Sequence, residues 1–378
     1  MTRLRQAGVL VTRSGPSALL LVALALLGGC ATPPPRPAPR DPAEVHAQLV
    51  SLLPAQTPDR AGWARDIQLA FERIDVPPST ENLCAALAVT AQESTYVADP
   101  EVPGLARIAR EEIDRRAARA HIPRLLVDAA LKIDSPDGRS YGERLARVRT
   151  EKALSELFDD FIGEVPLGHR LFGDANPVRT GGPMQVGIDF AERYAKRHPY
   201  PDLGDGSIRD AVFTRRGGLH FGIAHLLDYP NSYERHLYRF ADFNAGWYAS
   251  RNAAFQAAVS AATGVQLALD GDLVLHDQGR KAGATETAVR RLGPQLGMDD
   301  GAIRRALERG DRFEFEREGL YRQVFEIADR RSGRRLPRAV VPRIRLESPK
   351  FTRKLTTEWF ATRVQARYQR CVNQAFGR

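Results

Sequence analysis

Glu81-Asn-Leu-Cys-Ala-Ala-Leu-Ala-Val-Thr-Ala-Gln-Glu-Ser-Thr-Tyr96 is the stretch on which the fold turns. From Leu83 to Ala91 it holds no charge, glycine or proline. Its density of Leu and Ala is that of a helix buried on most of its faces. Pro77-Pro78-Ser79-Thr80 just ahead ends one helix and caps this one. A glutamate then stands at the far end, Glu93, with Ala86 and Val89 seven and four residues back on its own helical face. Desolvation raises the pKa of a carboxyl in such a place. An acid still protonated at neutral pH is what cleavage of a glycosidic bond requires. Taken alone, Glu93 would read as an ordinary surface glutamate, as most are.

Outward from this helix the pattern stays helical. Apolar residues at three- and four-residue spacing predict helices over 45–53, 60–74, 105–120, 123–133 and 141–162. A loop rich in Gly, Pro and Asn covers 163–182. Helices then follow near 186–198, 208–228, 232–240, 245–262, 284–296, 299–309, 317–331 and 355–375. Alternation over 264–276 (Val265, Leu267, Leu269, Leu273, Val274 and Leu275), centred on Asp270-Gly271, predicts a small β-hairpin. The fold class is mainly α.

Two further strings join Glu93. Gly182-Pro-Met-Gln-Val186 brings backbone close to a cleft, with Met184 packing near the acid and Gln185 offering an amide. Phe243-Asn-Ala-Gly246 places Asn244 to orient an N-acetyl sugar or the acid, and Trp247 and Tyr248 beside it suggest a stacking surface or plain core. With Ala91-Gln-Glu-Ser94, and in this order, the strings resemble the three motifs of the lysozyme-like lytic transglycosylases. The resemblance implies a lysozyme-like helical domain that binds and cleaves peptidoglycan glycan strands without a cofactor. It makes Glu93 catalytic, and Ser94, Met184, Gln185 and Asn244 substrate-binding. Phe243 stands where that family usually has tyrosine. The separation of Glu93 from Met184 makes residues of about 100–180 an insertion, and those of about 264–378 a C-terminal extension.

A second resemblance spans nearly the whole mature chain. Asp99-Pro-Glu-Val-Pro-Gly104, Asn176-Pro-Val-Arg-Thr-Gly-Gly-Pro-Met-Gln-Val186 and Arg239-Phe-Ala-Asp-Phe-Asn-Ala-Gly-Trp-Tyr-Ala-Ser-Arg251 are similar to the YaiW-like outer-membrane lipoproteins, a family of unknown function.

The first thirty residues address the compartment. Arg3, Arg5 and Arg13 precede an apolar run, Ala18–Leu27, too short to span a bilayer. Leu27-Gly-Gly-Cys30 looks like a lipobox, so 1–29 is a signal peptide, Cys30 is the lipidated residue carrying palmitate-type chains, and 30–43 is a proline-rich tether. The folded domain is 44–378. Ala31, rather than aspartate, after the cysteine favours the outer membrane, on either its periplasmic or its surface face. The formal charge of +9 includes those three arginines, which leaves an excess of about +6. That suits an anionic envelope and sets nucleic acid aside as a partner.

Cys84 and Cys371 remain, as a disulfide or as two buried thiols. His220 and His225, five apart, do not share a helix face, so no metal site is expected. Two functions stay open. One is a lytic transglycosylase-like enzyme using Glu93. The other is a non-catalytic outer-membrane lipoprotein that binds glycan or peptide and assists peptide uptake.

Overall fold

The computed structural model describes residues 39–164, 176–275, 281–346 and 355–377. The segment read as a signal peptide, Cys30 and most of the expected tether lie outside them. From Asp41 onward the chain is one compact unit, mainly helical.

The first helices are α1 (Pro42–Leu52), α2 (Arg60–Arg73) and α3 (Thr80–Glu93), the predicted buried helix. Ser79 caps α3 by accepting from the Asn82 N–H, and every residue from Leu83 to Thr90 is buried. Four helices follow: α4 (Leu105–Arg119), α5 (Arg124–Ala130), α6 (Tyr141–Arg147) and α7 (Glu151–Gly163). The periodicity over 141–162 predicted one helix, but the chain breaks at Val148, which is extended, and restarts when Thr150 caps α7 through the Ala153 N–H. A short antiparallel pair, β1 (Thr180–Gly181) and β2 (Val186–Gly187), frames the Met184 turn. Beyond it come α8 (Ile188–Ala195), α9 (Ile208–Val212), α10 (Arg215–Leu227) and α11 (His236–Ala245). Thr214 caps α10 and thereby splits the predicted 208–228 helix.

A second hydrophobic cluster is built from α12 (Ala249–Thr263), α13 (Ala284–Arg290), α14 (Gly293–Leu296), α15 (Asp300–Leu307) and α16 (Gly319–Ser332), with two 3-10 turns between the last two. The predicted hairpin is not there. The described residues 264–275 carry no strand. Instead the Gln256 side chain donates to Asp270 Oδ1 at 2.7 Å and to the Asp272 carbonyl at 3.0 Å, and accepts from the Gly271 N–H at 2.9 Å. A helix side chain thus satisfies the turn that a partner strand would have satisfied, while Leu273 and Val274 enter the second cluster. The other short ladder pairs β3 (Arg345–Leu346) with β4 (Leu355–Thr356).

The last helix, α17 (Thr357–Ala375), returns to the first cluster and packs on α3 and α11. Cys84 of α3 and Cys371 of α17 are joined in a disulfide across 287 positions. A cross-link that closes so long a loop restricts the unfolded chain and stabilises by about 3–5 kcal/mol. Cys371→Ala should therefore lower the denaturant midpoint markedly under oxidising conditions, and reduced wild type should match it. Identical midpoints for all three would show that the link contributes nothing.

Candidate functional site

Glu93 is the last residue of α3, and it is partly rather than fully buried. Burial among the surrounding helices pushes its carboxyl up to about 8, and the charge of Glu151 adds to the effect. No hydrogen bond or ion pair to the Glu93 carboxyl occurs among the described residues, so nothing there offsets the desolvation. The chain leaves α3 through an unusual turn. Thr95 and Tyr96 both take left-handed backbone angles, φ of 52° and 61°. Tyr96 fixes the turn by donating its hydroxyl to the Leu87 carbonyl at 3.1 Å, with its ring edge-on to Trp63. Ser94, read as substrate-binding, is buried and donates its hydroxyl to the Thr90 carbonyl at 3.2 Å. It finishes the helix instead of facing a ligand.

Glu151 went unnoticed in the sequence. As one charge in the charge-rich stretch 141–162, it gave no sign of being buried, yet it is only 6 % exposed. The loop after Glu93 brings it there: Glu101 bridges Thr150, and the Val102 N–H donates to the Arg149 carbonyl at 2.8 Å. Asn176, fully buried, then ties α7 to the second motif. Its amide donates to Ser155 Oγ at 3.0 Å and Asp159 Oδ1 at 3.2 Å, and its oxygen accepts from the Val178 N–H at 2.9 Å.

The Met184 turn sits against α10. Gly182 has φ of +71°, and a Cβ there would meet the Val212 carbonyl at 2.2 Å, so only glycine fits. Met184 is fully buried, and a Cβ on Gly222 would lie 2.6 Å from its sulfur. Gln185 has φ of 49°, and its amide is folded back on its own turn, donating to the Gly182 carbonyl and accepting from Thr180 Oγ1, each at 3.3 Å.

The third motif meets the next turn of α10. The rings of Phe243 and Phe190 lie 5.0 and 4.4 Å from His225, and Trp247 Nε1 donates to the His225 carbonyl at 2.7 Å. Burial pushes the His225 imidazole down to about 4, so it is neutral at pH 7. Asn244 is exposed and accepts from Thr357 Oγ1 of α17 at 3.0 Å. Of the two aromatics read as a stacking surface or core, Tyr248 is core, while Trp247 is half-buried and lines two clefts. Trp247 stacks on Tyr229 at 4.9 Å with His225 tilted beside it, and Tyr248 is buried with Arg251 over its ring.

The residues flanking the third motif are structural. Buried Asp242 accepts from Tyr233 and Tyr229 hydroxyls and from the Tyr248 and Ser250 N–H groups, fastening α11 to the start of α12. Arg251 donates to the Arg312 and Gly310 carbonyls and so anchors the second cluster.

The three motifs therefore share α10: α3 packs on it, the Met184 turn is pressed against its glycines, and Phe243 touches its His225. The clefts lined by Trp247 do not include Glu93, Met184, Gln185 or Asn244. Among the described residues, no three His, Cys, Asp or Glu side chains are grouped to hold a metal ion.

The family described as "Protein of unknown function (DUF1615)" matches residues 56–374. A curated relative, "Uncharacterized protein YaiW" from Escherichia coli (strain K12), is 55% identical over 360 residues, covering 95% of this chain and 98% of its own. No solved structure matches the chain.

The raised Glu93 carboxyl predicts a pH-dependent stability difference. A carboxyl at about 8 in the fold and near 4.5 when unfolded contributes full stability below pH 4.5 and loses it as pH rises towards 8. Glu93→Gln has no such loss. Denaturant midpoints of the two proteins should nearly coincide at pH 4, and the Gln variant should lead increasingly up to pH 8. A gap that stays constant with pH would mean that Glu93 titrates normally in the fold.

Proposed function

This chain belongs to the DUF1615 family, whose function is unknown, and from that footing we propose that it is a lipid-anchored envelope protein with a lysozyme-like site that cleaves peptidoglycan glycan strands. The observation that carries the reading is Glu93: a carboxyl at the end of an apolar helix, pushed up to about 8 and reachable from solvent. Such a group is mainly protonated at pH 7 and can donate to a glycosidic oxygen.

The chemistry needs one carboxyl. Glu93 gives its proton to the oxygen of the bond between N-acetylmuramic acid and N-acetylglucosamine as that C–O bond breaks. The resulting carboxylate takes the proton of the muramyl 6-hydroxyl while that oxygen bonds to C1, which closes a 1,6-anhydro ring and restores the acid. No water is consumed.

The anchor is proposed at Cys30, with Ala31 after it directing the chain to the outer membrane. A rival reading, a non-catalytic lipoprotein that binds glycan or peptide, is favoured by Phe243, which brings no hydroxyl to the His225 side of the site.

Wild type incubated with purified glycan strands should release anhydro-muramyl products, seen by mass spectrometry, with activity falling above pH 8 as Glu93 loses its proton. Glu93→Gln should bind strands yet cut them about two to four orders of magnitude more slowly. Binding without cutting by both proteins would hand the site to the rival reading. Separately, Cys30→Ser should release the protein from salt-washed membranes, since acyl chains supply most of the apolar area of such an anchor. Retention of the Ser variant would rule out lipidation there as the anchor.

A further inference from the structure

Among the described residues, the largest group of exposed apolar side chains lies at the end of α4 and on α5. Leu125 is 78% exposed, Leu126 58%, Ile133 50% and Ile122 46%, while Val127 is the one residue of α5 that is buried. A soluble surface seldom leaves such a group uncovered without a use for it.

Cations outnumber acids around it. Arg119, Arg124 and Lys132 are exposed, and no hydrogen bond or salt bridge engages their side chains among the described residues. Asp128, the acid inside α5, is already held by Arg110. Asp134 is the other acid of the segment. Apolar tips flanked by exposed cations match an anionic lipid interface, where the side chains enter the acyl boundary and the cations meet phosphate groups.

We propose that the α4–α5 tip, led by Leu125 and Leu126, inserts into the surface of an anionic bilayer and orients the folded domain on it. The contact is independent of any chemistry at Glu93 and of acylation at Cys30.

The test is local fluorescence on the full chain carrying Cys30→Ser, in which Cys84 and Cys371 are occupied by their disulfide. An environment-sensitive fluorophore is attached at Leu125→Cys and, as a control, at Glu326→Cys on the exposed side of α16. With vesicles of phosphatidylethanolamine and phosphatidylglycerol at 3:1, emission at 125 should rise at least threefold and be quenched by a lipid-borne nitroxide. The control should not respond. Pure phosphatidylcholine, 0.5 M salt, or Arg119→Glu with Arg124→Glu should each remove most of the rise. Equal response at 125 and 326, or none at 125, overturns the proposal. So does a rise at 125 that needs no lipid and grows with protein concentration, which would assign the patch to a second copy of the chain.

Discussion

Desolvation at the end of α3 is the constraint on which the rest of the structure depends. A helix of Leu, Ala, Val and Thr can be surrounded by neighbours, and α3 is, by α10 and by α17 through a disulfide. The same enclosure that stabilises the helix penalises a charge at its last residue. Glu93 accordingly holds its proton near neutrality, and the carboxyl of Glu151 nearby strengthens that preference. A stabilised helix and a carboxyl that keeps its proton are two results of one packing arrangement.

Helix α10 is the element through which the other two motifs join this arrangement. Its glycines admit the Met184 turn at distances no larger residue would allow, and its last turn gathers Phe190, Phe243 and Trp247 around His225. Asn176 completes the circuit by tying the Met184 segment to α7, the helix that presents Glu151. Asp242 and Arg251 do different work, joining the first hydrophobic cluster to the second. The residues flanking the third motif therefore form an architectural joint, while Asn244 within it is exposed.

Much of this was legible in the sequence because it is local. Caps such as Ser79 and the absence of breakers in α3 mark that helix without help from the rest of the chain. What was not legible depended on distant partners. Thr150 and Thr214 could cap a helix or sit within one, and tertiary contacts decided for capping. The alternation around Asp270 has the period of a strand, but Gln256 satisfied the turn from a helix. Trp247 and Tyr248 carried the same ambiguity between platform and core; Tyr248 is buried beneath Arg251, whereas Trp247 stacks on Tyr229 and stays half-buried at a cleft wall. Glu151 could not be singled out, because burial of a charged residue in a charge-rich stretch leaves no local mark.

The central claim is that the Glu93 carboxyl is neutral at pH 7. Its direct measurement is a carbon-13 NMR titration of the side-chain carboxyl in Glu-labelled protein, assigned by the resonance that disappears in Glu93→Gln. The account predicts a midpoint close to 8 for that resonance. A midpoint near 4.5, the ordinary value for a solvated glutamate, would contradict it and remove the acid from the site.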